Sequence, residues 1–142
     1  MSADVFVDTN VLVYAHDEAS PAKKAQAEAI ILDGFRSENA AISTQVLCEF
    51  YVTVTRKAKR PMPLARAKRE VALLSNLETA DVDAPMVERA IDIQQRWKIN
   101  FWDGLIIAAA ERTHCATVLS EDLSDGQVYG SVTVRNPFKE PR

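Results

Sequence analysis

The chain has no apolar stretch near the roughly 18 to 20 residues that a membrane-spanning helix needs. The opening MSADVFVDTN enters a strand-like run at once, so no signal peptide is expected. It has two cysteines, Cys48 and Cys115, with no metal-ligand spacing between them. Both are expected as reduced core residues of a cytoplasmic protein, which sets aside a disulfide scaffold or a zinc site. There is no basic excess either: 17 Lys and Arg against 20 Asp and Glu give a net charge of −3. The chain as a whole therefore does not attract polyanions. No internal repeat, low-complexity segment or linker interrupts the 142 residues, so one domain spanning 1–142 is expected.

What is present is an alternation of short apolar runs and helical patterns. Val5-Phe6-Val7 reads as a strand buried on both faces, and Ala40 to Ile42 as a second. Glu78 to Val82, Thr117 to Ser120 and Val132 to Val134 supply the others. Between them, Ser20-Pro21 starts a helix with a serine cap and proline at its first position. Its inward stripe is expected near Ala25, Ala29, Ile31 and Leu32. The next helix should turn in Val46, Leu47, Phe50 and Val54, and the one opened by Pro85 should turn in Val87, Ile91 and Ile93. The expected fold is a three-layer α/β/α sandwich around a mostly parallel sheet of four to five strands.

Within this frame four acids stand in apolar surroundings at strand ends or helix starts: Asp8, Glu49, Asp103 and Asp122. Ionised side chains are rarely buried unless paired or bound to a metal. No basic residue accompanies any of them within its own motif. Each has a plainer reading alone: Asp8 as a helix cap, Asp103 as a dipole partner, Asp122 as a turn residue. Ligands of parallel sheets bind outside the carboxyl ends of the strands. All four can reach that edge, where together they suit a hard divalent cation.

Seven basic residues and no acid fall between Arg56 and Arg69, so Arg56, Lys57, Lys59 and Arg60 are candidate phosphate contacts, or else a solvated helix face. Trp97, Phe101 and Trp102 precede Asp103 and read as core packing ahead of base stacking. His16 and His114 read as surface or cap residues rather than ligands.

The ordered set resembles the PIN-domain nucleases. Asp8-Thr9-Asn10 after the first strand is similar to that family's opening signature. Glu49 matches its second acid, and Phe101-Trp102-Asp103-Gly104 running into Leu105-Ile106-Ile107 its third. Ser120-Glu121-Asp122 matches the fourth, with Glu121 and Asp125 as neighbouring acids that compete for the role. The tail Val134-Arg135-Asn136-Pro137-Phe138 extends the likeness to short bacterial members, and the length and opening resemble VapC-type toxins. The resemblance implies hydrolysis of RNA, transfer RNA included, with Mg²⁺ or Mn²⁺ held by Asp8, Glu49, Asp103 and Asp122. It implies Thr9, Asn10 and Ser120 as donors behind those ligands, an antitoxin partner and a homodimer. The alternatives are a catalytically silent PIN-like binding module and a receiver-type signalling domain. The receiver pattern asks for paired acids after the first strand and for a late lysine within the fold. A phosphatase of the haloacid-dehalogenase type would need an aspartate where Asn10 stands.

Overall fold

The computed structural model describes residues 3–139. Short runs rich in β-branched and small residues form the strands β1 (Val5–Val7), β2 (Ala40–Ser43), β3 (Glu78–Ala80), β4 (Thr117–Leu119), β5 (Val128–Tyr129) and β6 (Val132–Arg135). They form one sheet in the order β3-β2-β1-β4-β6-β5, parallel throughout except for β5, which pairs antiparallel with β6. The helices are α1 (Thr9–Tyr14), α2 (Pro21–Ser37), α3 (Thr44–Val52), α4 (Leu64–Leu74), α5 (Ala84–Trp97) and α6 (Phe101–Arg112). They flank the sheet as the expected α/β/α layers.

The sheet has six strands rather than four to five. The additional one, β5, is two residues long and is joined to β6 through Gly130, whose φ of 64° suits a tight hairpin turn. β3 stops at Ala80 instead of Val82, because the Val82 amide leaves the sheet to donate to Thr44 Oγ1 at 3.1 Å.

The largest fully buried side chains include Phe6, Ile42, Phe50, Met86, Ile93 and Ile107. Every residue of α6 from Gly104 to Ala110 is buried, and the helix lies against α5, β2, β4 and β6. A Cβ on Gly104 would sit 2.8 Å from the Ala90 carbonyl oxygen, so only glycine lets α6 approach α5 this closely.

Three inward faces differ from expectation. α2 buries Ala27 and Gly34, while Ala25 and Ala29 are exposed and Leu32 is 48% exposed. The contact there is made by small residues, and a Cβ on Gly34 would come within 2.8 Å of Ala40 Cβ. In α5 the buried series is Met86, Ala90 and Ile93, not Val87 and Ile91. Val46 and Phe50 in α3 and Val54 on the turn that follows it point inward as expected, but Cys48 is exposed on an apolar outer face. Cys115 is buried. Ser20 occupies the cap position of α2 through its backbone oxygen, which accepts from Lys24 N at 2.8 Å, without a side-chain cap bond.

Candidate active site

The strand order reverses beside β1: the chain builds β1, β2 and β3 to one side, then crosses back to place β4 on the other. Such switch points leave a crevice at the carboxyl edge of the sheet. Val7 lies in register with Leu119, so Asp8 and Ser120 leave neighbouring strands side by side.

Asp8 caps α1, its Oδ1 accepting from the Thr9 amide at 2.8 Å. Its Oδ2 accepts from the buried Ser120 hydroxyl at 2.8 Å and from Asn10 Nδ2 at 3.3 Å. Asn10 is the hub. Its amide nitrogen also lies 3.2 Å from Ser120 Oγ and 3.3 Å from Asp122 Oδ2, and its oxygen accepts from the Glu121 amide at 3.0 Å. Ser120 Oγ in turn accepts from the amides of Asp122 and Leu123 at 3.2 and 3.3 Å. The three small polar residues thus bind the end of β1 to the loop after β4.

Glu49 and Asp103 arrive on helices. Ser43 caps α3 by accepting from Val46 N at 3.3 Å, which sets the helix direction and brings Glu49 to the rim, 3.4 Å from Thr9 Oγ1. Asn100 caps α6, taking the Asp103 amide at 2.8 Å and donating its own amide to Asp103 Oδ2 at 3.0 Å. Asp103 stands one residue before the glycine contact with α5, which holds that helix start in place.

The four carboxylates act on one another through space. Burial raises Asp8 to about 6; the bonds from Ser120 and Thr9 oppose that, and the charges of Glu49 and Asp122 add to it. Partial burial and the Asp103 charge raise Glu49, against bonds from Thr9 and Gln45. Burial and the Asp122 charge raise Asp103. Among the described residues no cation bonds to any of the four directly. Lys57 acts on Glu49 only through its field.

The available donors are carboxylate, amide and hydroxyl oxygens, a set that fits Mg²⁺ or Mn²⁺ and not a thiolate-seeking metal. Among the described residues no three acidic, histidine or cysteine side chains close on one point tightly enough to hold an ion as they stand. Ion binding therefore requires side-chain rotation, for which Glu49 and Asp122 have room at the exposed rim. The raised pKa values come first from burial and then from the neighbouring carboxylates.

The acids adjoining Asp122 are engaged elsewhere. Glu121 accepts from Tyr14 Oη at 2.6 Å and from Lys23 Nζ at 2.5 Å. Burial would raise its pKa, but those two donors outweigh burial and hold it low. Asp125 accepts from the Asn136 amide at 2.8 Å. Of the three acids in this loop, Asp122 is the one whose carboxylate bonds to Asn10. Tyr14 and Lys23 were not legible beforehand, since they lie about a hundred residues from Glu121 in the chain. Asn100 was not singled out either, although asparagine three residues before an aspartate at a helix start is a capping pattern that could have found it.

Arg56, Lys57, Lys59 and Arg60 are all exposed. The first two lie on a π-helical turn, Thr53–Lys57, that continues α3 past Glu49. Trp97 packs edge-on to Tyr129, whereas Trp102 is 63% exposed, so the core-packing expectation fails for it. His114 is exposed as expected; His16 is partly covered by the Phe50 ring.

A mostly parallel α/β sheet thus brings four acids to one edge, at its switch point. The sequence model of the PIN domain matches residues 5–124, and the chain belongs to that family. Among curated proteins, none matches the chain in sequence. Solved structures share the fold at low identity. A toxin–antitoxin complex from Klebsiella pneumoniae aligns with TM-score 0.69 and 18% identity, covering 97% of this chain and 100% of that one. FitAcB from Neisseria gonorrhoeae aligns with TM-score 0.68 and 24% identity over 94% and 98%. VapC20 from Mycobacterium tuberculosis, described as a sarcin–ricin-loop-cleaving toxin, aligns with TM-score 0.62 and 20% identity over 84% and 90%.

Proposed function

We propose that the chain is a metal-dependent endoribonuclease, the VapC-type toxin of a toxin–antitoxin pair. The observation that carries this reading is the set of Asp8, Glu49, Asp103 and Asp122, mutually coupled at one sheet edge with no bonded cation among the described residues. Membership of the PIN family supports nuclease chemistry. Support for the toxin role comes from neighbours of the same fold that are a toxin or toxin–antitoxin complexes.

In this reading Asp8, Glu49, Asp103 and Asp122 hold Mg²⁺ or Mn²⁺ directly or through water. When bound, the ion would supply Lewis-acid charge for the phosphate and a more acidic water. Water adds to phosphorus and the bond to the 3′ oxygen breaks, leaving a 5′-phosphate and a 3′-hydroxyl. Ser120, Asn10 and the Thr9 amide fix the Asp8 carboxylate against rotation, while Glu49 and Asp122, bonded more loosely by Thr9 and Asn10, turn to meet the ion. Lys57 and its basic neighbours meet the RNA backbone, and a cognate antitoxin and a homodimer complete the assembly.

The deciding experiment is cleavage of structured RNAs, transfer RNA included, with and without Mn²⁺ or Mg²⁺. Metal-dependent scission by the wild type and its loss in a folded Asp103→Asn variant are expected. A wild type that binds RNA without cutting it under any divalent ion would leave the silent binding module. Undiminished cutting by Asp103→Asn would remove that residue from the site.

A further inference from the structure

Beside the acids lies an open cleft of about 460 Å³, which shares Glu49 with the proposed chemistry and whose other walls that chemistry does not use. Its walls are mainly apolar, from Cys48, Val82, Leu105 and the indole of Trp102, with Glu49 at one side. Trp102 is 63% exposed, yet it is braced edge-on by Phe101 at 5.2 Å. A large rigid ring left in solvent one residue before a site acid offers a flat platform.

The second feature is Gln45, which also lines the cleft and is only 8% exposed. Its amide nitrogen donates to the Trp102 carbonyl at 3.2 Å and lies against the Glu49 carboxylate. Both neighbours are acceptors, so the amide cannot turn over without setting oxygen against oxygen. Gln45 Oε1 is thereby committed as an acceptor, and it is the buried side-chain polar atom without a partner among the described residues. Leaving such an atom unpaired is costly, and a donor brought by a ligand removes the cost.

We propose that this cleft is a nucleobase subsite beside the acidic centre, stacking a base on Trp102 and selecting an amino-bearing base through Gln45 Oε1. It rests on the RNA-cleaving reading above. A planar aromatic ligand suits the indole and apolar walls, as in single-strand binders. The exocyclic amine of adenine, cytosine or guanine carries two hydrogens, enough to supply both Gln45 Oε1 and the Glu49 carboxylate. Uracil offers only the single N3–H on that edge, which supplies one of the two acceptors and leaves the other unpaired. The subsite therefore discriminates against uridine at one position near the cut.

The test uses oligouridylates with a single adenosine, cytidine or guanosine moved through the strand. Binding is read by fluorescence anisotropy in EDTA and cleavage separately with Mn²⁺. A roughly two- to tenfold preference for the amino-bearing strands is expected, the range of one hydrogen bond. Gln45→Met should flatten it. Trp102→Ala, an exposed substitution that leaves the fold intact, should weaken binding of all strands about tenfold. Equal binding of all strands by the wild type would overturn the subsite even if cleavage occurs. A preference that survives Gln45→Met would assign the amide oxygen to bound water. Unchanged RNA binding in Trp102→Ala would assign the indole to a protein contact. Either result overturns the proposal. Base preference in EDTA without cleavage in Mn²⁺ would instead sink the nuclease reading and keep the subsite.

Discussion

At the seam between α5 and α6, Asp83 takes a two-pronged bond from Arg112 at 2.9 and 3.0 Å, and Glu111 takes one from Arg89 at 2.8 and 2.9 Å. The Arg112 bond holds Asp83 below the ordinary carboxylate range. At the carboxyl edge of the sheet, Asp8, Glu49 and Asp103 are pushed above it by burial and by one another. The same functional group thus serves two purposes in one small domain. Where a cation of the chain answers the charge, the carboxylate ties helices together. Where none does, the carboxylate is held by neutral donors such as Asn10 and Ser120, the arrangement that the proposed metal binding would use. Glu121 and Asp122 show the contrast in adjacent residues, one clamped by Lys23 and the other bonded to the Asn10 amide.

The largest effect that would break this contrast belongs to Asp8→Asn. RNA cleavage should fall by more than the 10- to 100-fold typical of residues behind metal ligands, roughly speaking. The rise in Tm on adding Mg²⁺ or Mn²⁺ should shrink with it. Equal metal-induced shifts in wild type and variant would sink the ligand assignment. The next effect is on pH. The native Asp8 carboxyl keeps its proton up to about 6, whereas an unfolded one loses it near its ordinary 3.8. Through that window the folded chain binds more protons, so metal-free stability falls as pH rises. The contribution is on the order of 3 kcal/mol between pH 4 and 7. Denaturant titrations of the metal-free protein should show it, and Asp8→Asn should lose it.

Ser120→Ala removes the donor to Asp8 without touching a carboxylate. A loss of about 10- to 100-fold in cleavage or in metal affinity is expected, measured by Mn²⁺ titration. An unaltered titration would make the serine purely structural. Converting Arg56, Lys57 and Lys59 to glutamine should reduce the salt slope of RNA binding, by up to about 0.7 per lost phosphate contact. An unchanged slope would return the patch to solvent. The smallest effect lies at the seam: Arg89→Ala should cost about 0 to 1 kcal/mol in chemical denaturation and leave cleavage as it was. A loss of cleavage there would mean that the seam helps to position Asp103.

Much of this was open to reading in the chain. Val5-Phe6-Val7 and Ala40 to Ile42 are strands because short β-branched and small apolar runs suit a doubly covered parallel sheet. The acids were conspicuous because carboxylates in apolar context need an answer. What failed were choices among several possible stripes. In α2 alanines occupy more than one face, and burial went to Ala27 and Gly34, the latter packed against Ala40 of β2. Cys48 and Trp102 sat in apolar sequence and were expected inside, yet both border an open cleft. Hydrophobic pattern reports affinity for cover, not whether this domain supplies it. The unpaired Gln45 oxygen had no signature at all, since pairing depends on neighbours as distant in sequence as Trp102.

By itself, the sequence determined the α/β class, the order of its elements and the four acids, because local propensity, periodicity and capping are written within a few residues. Only the tertiary structure decided that Asn10 joins Asp8 to Asp122, that Lys23 and Tyr14 draw Glu121 away, and that Asp8 titrates near 6. Those outcomes depend on burial and on contacts across a hundred residues of chain. Such contacts come into being when β4 docks beside β1.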